Sequence, residues 1–183
     1  MEVKLMIQST PNPNALKFVV NMPLKLEGKA TYKSAAECDN NPMAKALFTL
    51  PNVHEVYFFD NYVTVTQDGN VDWDVIEEQI KALIIEHAAH HDPNFKIEEA
   101  HKPVVVSDNP DINKINEILD RTIRPALQMD GGDLQVMGFD GQLVLVSYQG
   151  ACGSCPSSTA GTLKAIEGIL RDEFNPEVVV EAV

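Results

Sequence analysis

The sequence is poor in cysteine and in basic charge, and it has no long apolar run. Only three cysteines occur in 183 residues, which does not make a disulfide framework and fits a reducing compartment better. Lysine and arginine number 14 against 27 acids, for a formal net charge of −13. Both halves are acidic and neither carries a basic stripe. A nucleic-acid partner is therefore not expected, since phosphate binding needs a basic footprint. No hydrophobic stretch approaches the roughly 20 residues of a spanning helix, so no membrane role is implied. The opening Met1-Glu2-Val3-Lys4-Leu5-Met6-Ile7 lacks the basic-then-apolar plan of a secretory signal. The expected location is cytoplasmic, or an organelle if a targeting segment has been trimmed. No G-x-x-x-x-G-K-[ST] loop is present, so nucleotide-driven chemistry is not indicated. Asp130 and Asp133 have no serine or histidine nucleophile pattern beside them, and turn or capping roles suit them better. No enzyme is indicated.

What remains is an ordinary globular composition, 44% hydrophobic and 22% charged, long enough for two small cores. Val3, Leu5 and Ile7 alternate as a half-buried strand, and Thr10-Pro11-Asn12-Pro13-Asn14 then breaks the pattern. Residues 15–20 read as a second strand and residues 29–33 as a third. Ser34 and Glu37 have capping-box spacing, which predicts a short helix. Asn41 followed by Pro42 predicts another over residues 42–48. Residues 53–59 and 62–67, joined at Asp60-Asn61, form a β-hairpin rich in aromatic and β-branched side chains. Asp72 caps a long amphipathic helix carrying Trp73, Ile76, Ile80, Leu83, Ile84 and His87. Residues 91–109, with prolines and few large apolar groups, read as a linker with a short strand at Val104-Val105-Val106.

Beyond the linker, Asn109-Pro110 opens a helix with Ile112, Ile115, Leu119 and Ile123 on one face, which Pro125 ends or kinks. Asp130-Gly131-Gly132-Asp133 is a tight turn. Residues 134–139 and 142–148 pair as a hairpin around Asp140-Gly141. A helix over residues 157–174 and a strand over residues 178–183 follow. The fold class is thus α+β: two small domains, residues 1–90 and 110–183, joined by a linker at 91–109. The C-terminal domain has the order α-β-β-α-β.

The chemistry converges on Gly150-Ala151-Cys152-Gly153-Ser154-Cys155-Pro156. Two sulfurs three positions apart can face one metal centre or oxidise to each other. Pro156 suits the first position of a helix, which puts Cys155 beside its N-terminus, where the helix dipole favours a thiolate. Two thiolates do not fill a tetrahedral zinc site or a Cys₄ cluster, and there is no second C-x-x-C. The simplest source of further ligands is the same loop on a second chain, across a two-fold axis. Gly153 and Ser154 are small enough to let backbone N–H groups approach the sulfurs. Three readings stay open on the pattern alone: a shared iron–sulfur cluster, a dithiol/disulfide oxidoreductase, and a zinc shared by a dimer. Only one helix and one strand follow Cys155, too little for a thioredoxin-type sheet. The proline also follows the pair instead of separating it.

Residues 113–183 resemble the C-terminal domain of the NifU-like (Nfu) family of iron–sulfur scaffold and carrier proteins. The likeness rests on Arg124-Pro125 with Met129-Asp130-Gly131-Gly132-Asp133, and on Gly150-Ala151-Cys152-Gly153-Ser154-Cys155-Pro156 with Ser157-Ser158-Thr159. Thr10-Pro11-Asn12-Pro13-Asn14-Ala15-Leu16-Lys17-Phe18 looks like the N-terminal domain of many members. The resemblance implies a labile [4Fe–4S] cluster held by Cys152 and Cys155 of two subunits and passed to apo-protein clients after receipt from an upstream donor. Four thiolates would equally accept [2Fe–2S].

Other residues have plainer readings. Cys38 has no ligand at a useful spacing and reads as a small packed side chain. His87, His90 and His91 fall at i, i+3 and i+4, a possible surface metal set, but histidines at a helix C-terminus also suit its dipole. Trp73, Tyr57, Phe58, Phe59 and Tyr62 read as core, the alternative being that an exposed subset of them forms a client-docking patch. Gly150 and Gly161 are expected to serve close approach around the loop and helix.

Overall fold

Strand alternation and helical periodicity sort the apolar side chains of this chain into two separate cores. A computed structural model describes residues 2–96, 109–153 and 156–183, with the backbone alone at 156–159. The chain divides into two units, Met1–Glu98 and Glu99–Val183.

In the first unit, β1 (Leu5–Ser9), β2 (Ala15–Val20), β3 (Lys25–Tyr32), β4 (Val53–Asp60) and β5 (Tyr62–Gln67) form an antiparallel sheet in the order β1-β2-β5-β4-β3. Phe18, Tyr32, Val56, Phe58, Val63 and Val65 project into one core with Ile76, Ile80 and Ile84 of α2 (Trp73–Ala88) and Met43 and Leu47 of α1 (Pro42–Leu47). Each fully buried side chain of this size contributes about 1.5–3 kcal/mol. Asn41 caps α1 by accepting from Ala44 N at 3.1 Å. Asp60, at φ 47°, turns the β4–β5 hairpin. Asp72 makes no side-chain capping bond. Instead, Trp73 at the start of α2 donates from Nε1 to the Pro13 carbonyl at 2.8 Å.

Three further local expectations change. β3 begins at Lys25, four residues ahead of the sequence reading, because Gly28 at φ 69° sits in a register shift that breaks the alternation. The stretch after Ser34 is only a 3₁₀ turn, Ala35–Glu37, in which Ser34 makes no capping bond; the Glu37 carboxylate accepts from Lys33 N at 2.9 Å. Residues 91–96, read as linker, complete the first core. The Phe95 side chain is buried against Tyr32 and Phe58, and the His91 ring stacks on Phe58 with its centroid 5.9 Å away. The strand expected at Val104-Val105-Val106 lies outside the described residues.

In the second unit the expected helix is split into α3 (Pro110–Thr122) and α4 (Arg124–Met129). Asn109 accepts from Asp111 N at 2.9 Å to cap α3. Pro125 lies in the first turn of α4, where its missing N–H costs nothing, so it starts a new helix after a break at Ile123. β6 (Gly132–Phe139) pairs antiparallel with β7 (Leu143–Gly150), and α5 (Pro156–Glu173) leads to β8 (Val179–Ala182), parallel to β7. Leu134, Val144, Val146, Val180, Ile115, Leu119, Ile166 and Leu170 form the core between sheet and helices. Both units are α+β, and the second adds one helix to the expected order. No helix among the described residues is long and apolar enough to cross a membrane.

Candidate functional site

The site is built where β6 begins and β7 ends. Gly132 of β6 pairs with Gly150 of β7 as the last rung of that ladder. Beyond it, Ala151 N donates to the Gly131 carbonyl at 3.2 Å and Gly153 N to the Gly150 carbonyl at 3.0 Å. These bonds fold the Cys152 loop back over the Gly131-Gly132 turn. Gly131 and Gly150 take φ values of 81° and 64°, which side chains rarely adopt. Gly132 is a glycine for another reason. A Cβ there would lie 2.5 Å from Cys152 Sγ, 2.8 Å from Cys152 N and 2.8 Å from the Gln149 carbonyl. The sulfur therefore occupies the space a side chain at 132 would take.

The turn is braced from below. Asp133, 2% exposed, accepts from Leu134 N at 2.7 Å and lies 3.6 Å from Nε of Arg124. Arg124 also donates from Nη2 to Asn116 Oδ1 at 2.7 Å and from Nη1 to Asp120, so α3, α4 and β6 meet at one guanidinium. A buried carboxylate needs such a partner. The expected turn role of Asp133 thus includes an ion pair that spacing did not indicate.

Cys152 is half-buried, packs against the second core, and is held on the sheet side of its loop. Tyr148 stands on β7 four residues before it. Burial pushes its phenol up to about 12, and the charge of Cys152 adds to that shift. α5 opens at Pro156, as the sequence predicts. Cys155 and Ser154 lie outside the described residues, so the pairing of the two sulfurs is an inference from sequence.

The remaining candidates sit elsewhere. Cys38 is fully buried in the first unit, with its Sγ donating to the Ser34 carbonyl at 3.3 Å; burial and neighbouring Glu37 push its thiol up to about 11. It belongs to the core there. His91 does not join His87 and His90 on a helix face. α2 ends at Ala88, and the His91 ring turns inward with Nε2 2.7 Å from the Leu24 carbonyl. That carbonyl can only accept, so Nε2 carries the proton. No group of three potential metal ligands occurs among the described residues. At Gly161 a Cβ would meet nothing within 4 Å, so close approach does not explain it. Sequence reasoning missed Gly132 as a seat for the sulfur. The available signal was the doubling of glycine, since one suffices for the turn.

The second unit is thus a small α+β domain whose sheet end seats a cysteine over a glycine turn. Residues 115–181 match the family model described as "NifU-like domain", and residues 5–91 match "Scaffold protein Nfu/NifU N terminal". NifU-like protein 4, mitochondrial, of Arabidopsis thaliana is 35% identical over 169 residues, covering 89% of this chain and 60% of that protein. NFU1 iron-sulfur cluster scaffold homolog, mitochondrial, of Homo sapiens is 34% identical over 174 residues, covering 93% of this chain and 68% of that protein. The solution NMR structure of a NifU-like protein from Saccharomyces cerevisiae aligns with a TM-score of 0.47 at 24% identity, over 53% of this chain and 87% of that one. The chain belongs to the Nfu family. It spans about three-fifths of the length of the Arabidopsis relative.

Proposed function

We propose that this protein is a non-catalytic iron–sulfur cluster scaffold and carrier. Cys152 and Cys155 of two copies hold a labile [4Fe–4S] cluster, or a [2Fe–2S] cluster, as cargo on the seam between them. Each chain brings two sulfurs to a centre that takes four, so the dimer forms with the cargo. An upstream donor supplies the cluster, and thiol exchange passes it to an apo-protein whose ligands bind it more tightly. The observation that carries the reading is the seat at Gly132, which holds the Cys152 sulfur at a fixed point beside the mouth of a loop. The scaffold names borne by the human and other relatives support it. We place the protein in the cytoplasm or, in line with the mitochondrial names of those relatives, in an organelle after trimming.

The test is anaerobic reconstitution with iron and sulfide, followed by iron, sulfide, zinc and mass determination. The expected product is a coloured dimer with about four irons by the Cys₄ logic. Cys152→Ala and Cys155→Ala should each abolish it, and a variant that keeps the same cluster defeats the assignment. A monomer with disulfide reductase activity and no iron is the outcome of the oxidoreductase reading. A colourless dimer dispersed by a chelator is that of the zinc reading.

A further inference from the structure

Tyr148 is buried at 9% exposure, and its hydroxyl finds no hydrogen-bond partner among the described residues. Phenylalanine would fill the same volume without the cost of burying an unpartnered hydroxyl, so the oxygen calls for a reason. The sheet register supplies one. Val144, Val146 and Tyr148 alternate inward along β7 toward one core, and Tyr148 pairs with Leu134 of β6, also inward. Two residues on, Gly150 pairs with Gly132 on the same face. Gly132 is thus a diagonal cross-strand neighbour of Tyr148. Such positions are about 7–8 Å apart, within reach of an aromatic side chain. The group filling the side-chain place at Gly132 is the Cys152 sulfur, 2.5 Å from where that Cβ would be.

We propose that Tyr148 is a positioning residue for Cys152, its hydroxyl donating a hydrogen bond to that sulfur when the sulfur ligates iron. The proposal rests on the scaffold reading above and deepens it. A donor aimed at a ligating sulfur withdraws charge from it, which raises the reduction potential of the centre, and it fixes the orientation of the ligand, which slows loss of the metal. With two copies around one cluster, two such bonds act on it.

The test reconstitutes wild type and Tyr148→Phe side by side under anaerobic conditions. Three quantities are read: the midpoint potential, the rate of iron loss to a chelator, and the D₂O shift of the Fe–S(Cys) stretches by resonance Raman. The expected variant folds, its apo form melts higher, and it takes up as much iron as wild type. Its midpoint potential is lower, it loses iron at least about tenfold faster, the lower end of what losing an outer-shell partner costs, and its solvent-isotope shift is smaller. Equal potentials, rates and isotope shifts in two loaded proteins overturn the role of Tyr148 alone. Wild-type protein that takes up no cluster overturns the scaffold reading, and Tyr148 with it. A Tyr148→Phe chain that does not fold assigns the hydroxyl to the core and also overturns the proposal.

Discussion

At the scale of single residues, two adjacent glycines do different work. Gly131 supplies a backbone angle; Gly132 supplies room. Gly132→Ala keeps an allowed conformation, yet its methyl must displace the Cys152 sulfur and the Gln149 carbonyl. Overpacking of this kind costs about 1–3 kcal/mol. The expected outcome is a destabilised second unit that also holds less iron, checked by urea unfolding and by iron per chain after reconstitution. If iron binding survives while stability falls, the seat is structural only. A glycine pair reads as a turn, and nothing in the one-dimensional pattern says that a sulfur twenty residues on returns to rest upon it. The same holds for Asp133 and Arg124, whose ion pair depends on α3, α4 and β6 meeting.

At the scale of elements, periodicity was a good guide wherever it was unbroken. β2 forms where it is expected, the β4–β5 hairpin forms on its aromatic and β-branched content with β5 buried along its whole length, and α5 begins at the proline that invited it. β3 was partly hidden by the bulge at Gly28, and residues 91–96 were hidden because two isolated rings, far in sequence from their partners, gave no period to read. Gly168 offers a test at this scale. It lies exposed within α5, and a Cβ there meets nothing within 4 Å. Gly168→Ala should stabilise the second unit by about 1 kcal/mol through helix propensity alone. The urea midpoint should rise with no change in slope, and iron uptake should not change.

At the scale of the whole molecule, mild acid reaches the first unit through His91. Burial lowers the pKa of His91 from its ordinary 6.5; the Leu24 carbonyl and Asp92 work against that shift, and Lys25 adds to it. The folded state thus prefers the neutral ring, while the unfolded chain takes up a proton more readily. This contribution is fully present above pH 6.5 and is lost as pH falls through that value toward the lower folded one. The sole tryptophan, Trp73, lies in the first unit and reports on it. Its thermal midpoint should fall between pH 7.5 and 5.5. In His91→Gln, which has a neutral donor for Leu24, the midpoint should start lower and fall less steeply. Equal slopes would remove His91 from the account.

One further consequence lies in the way Cys152 is held. Main-chain bonds tether its loop on both sides, yet Cys152 as a residue is only half-buried and the neighbouring Gly153 is exposed. An anchored ligand on a partly exposed residue suits associative substitution, in which a newcomer bonds before the resident departs. On the scaffold reading, delivery is then a two-body encounter that never leaves an iron under-coordinated and never asks the domain to come apart.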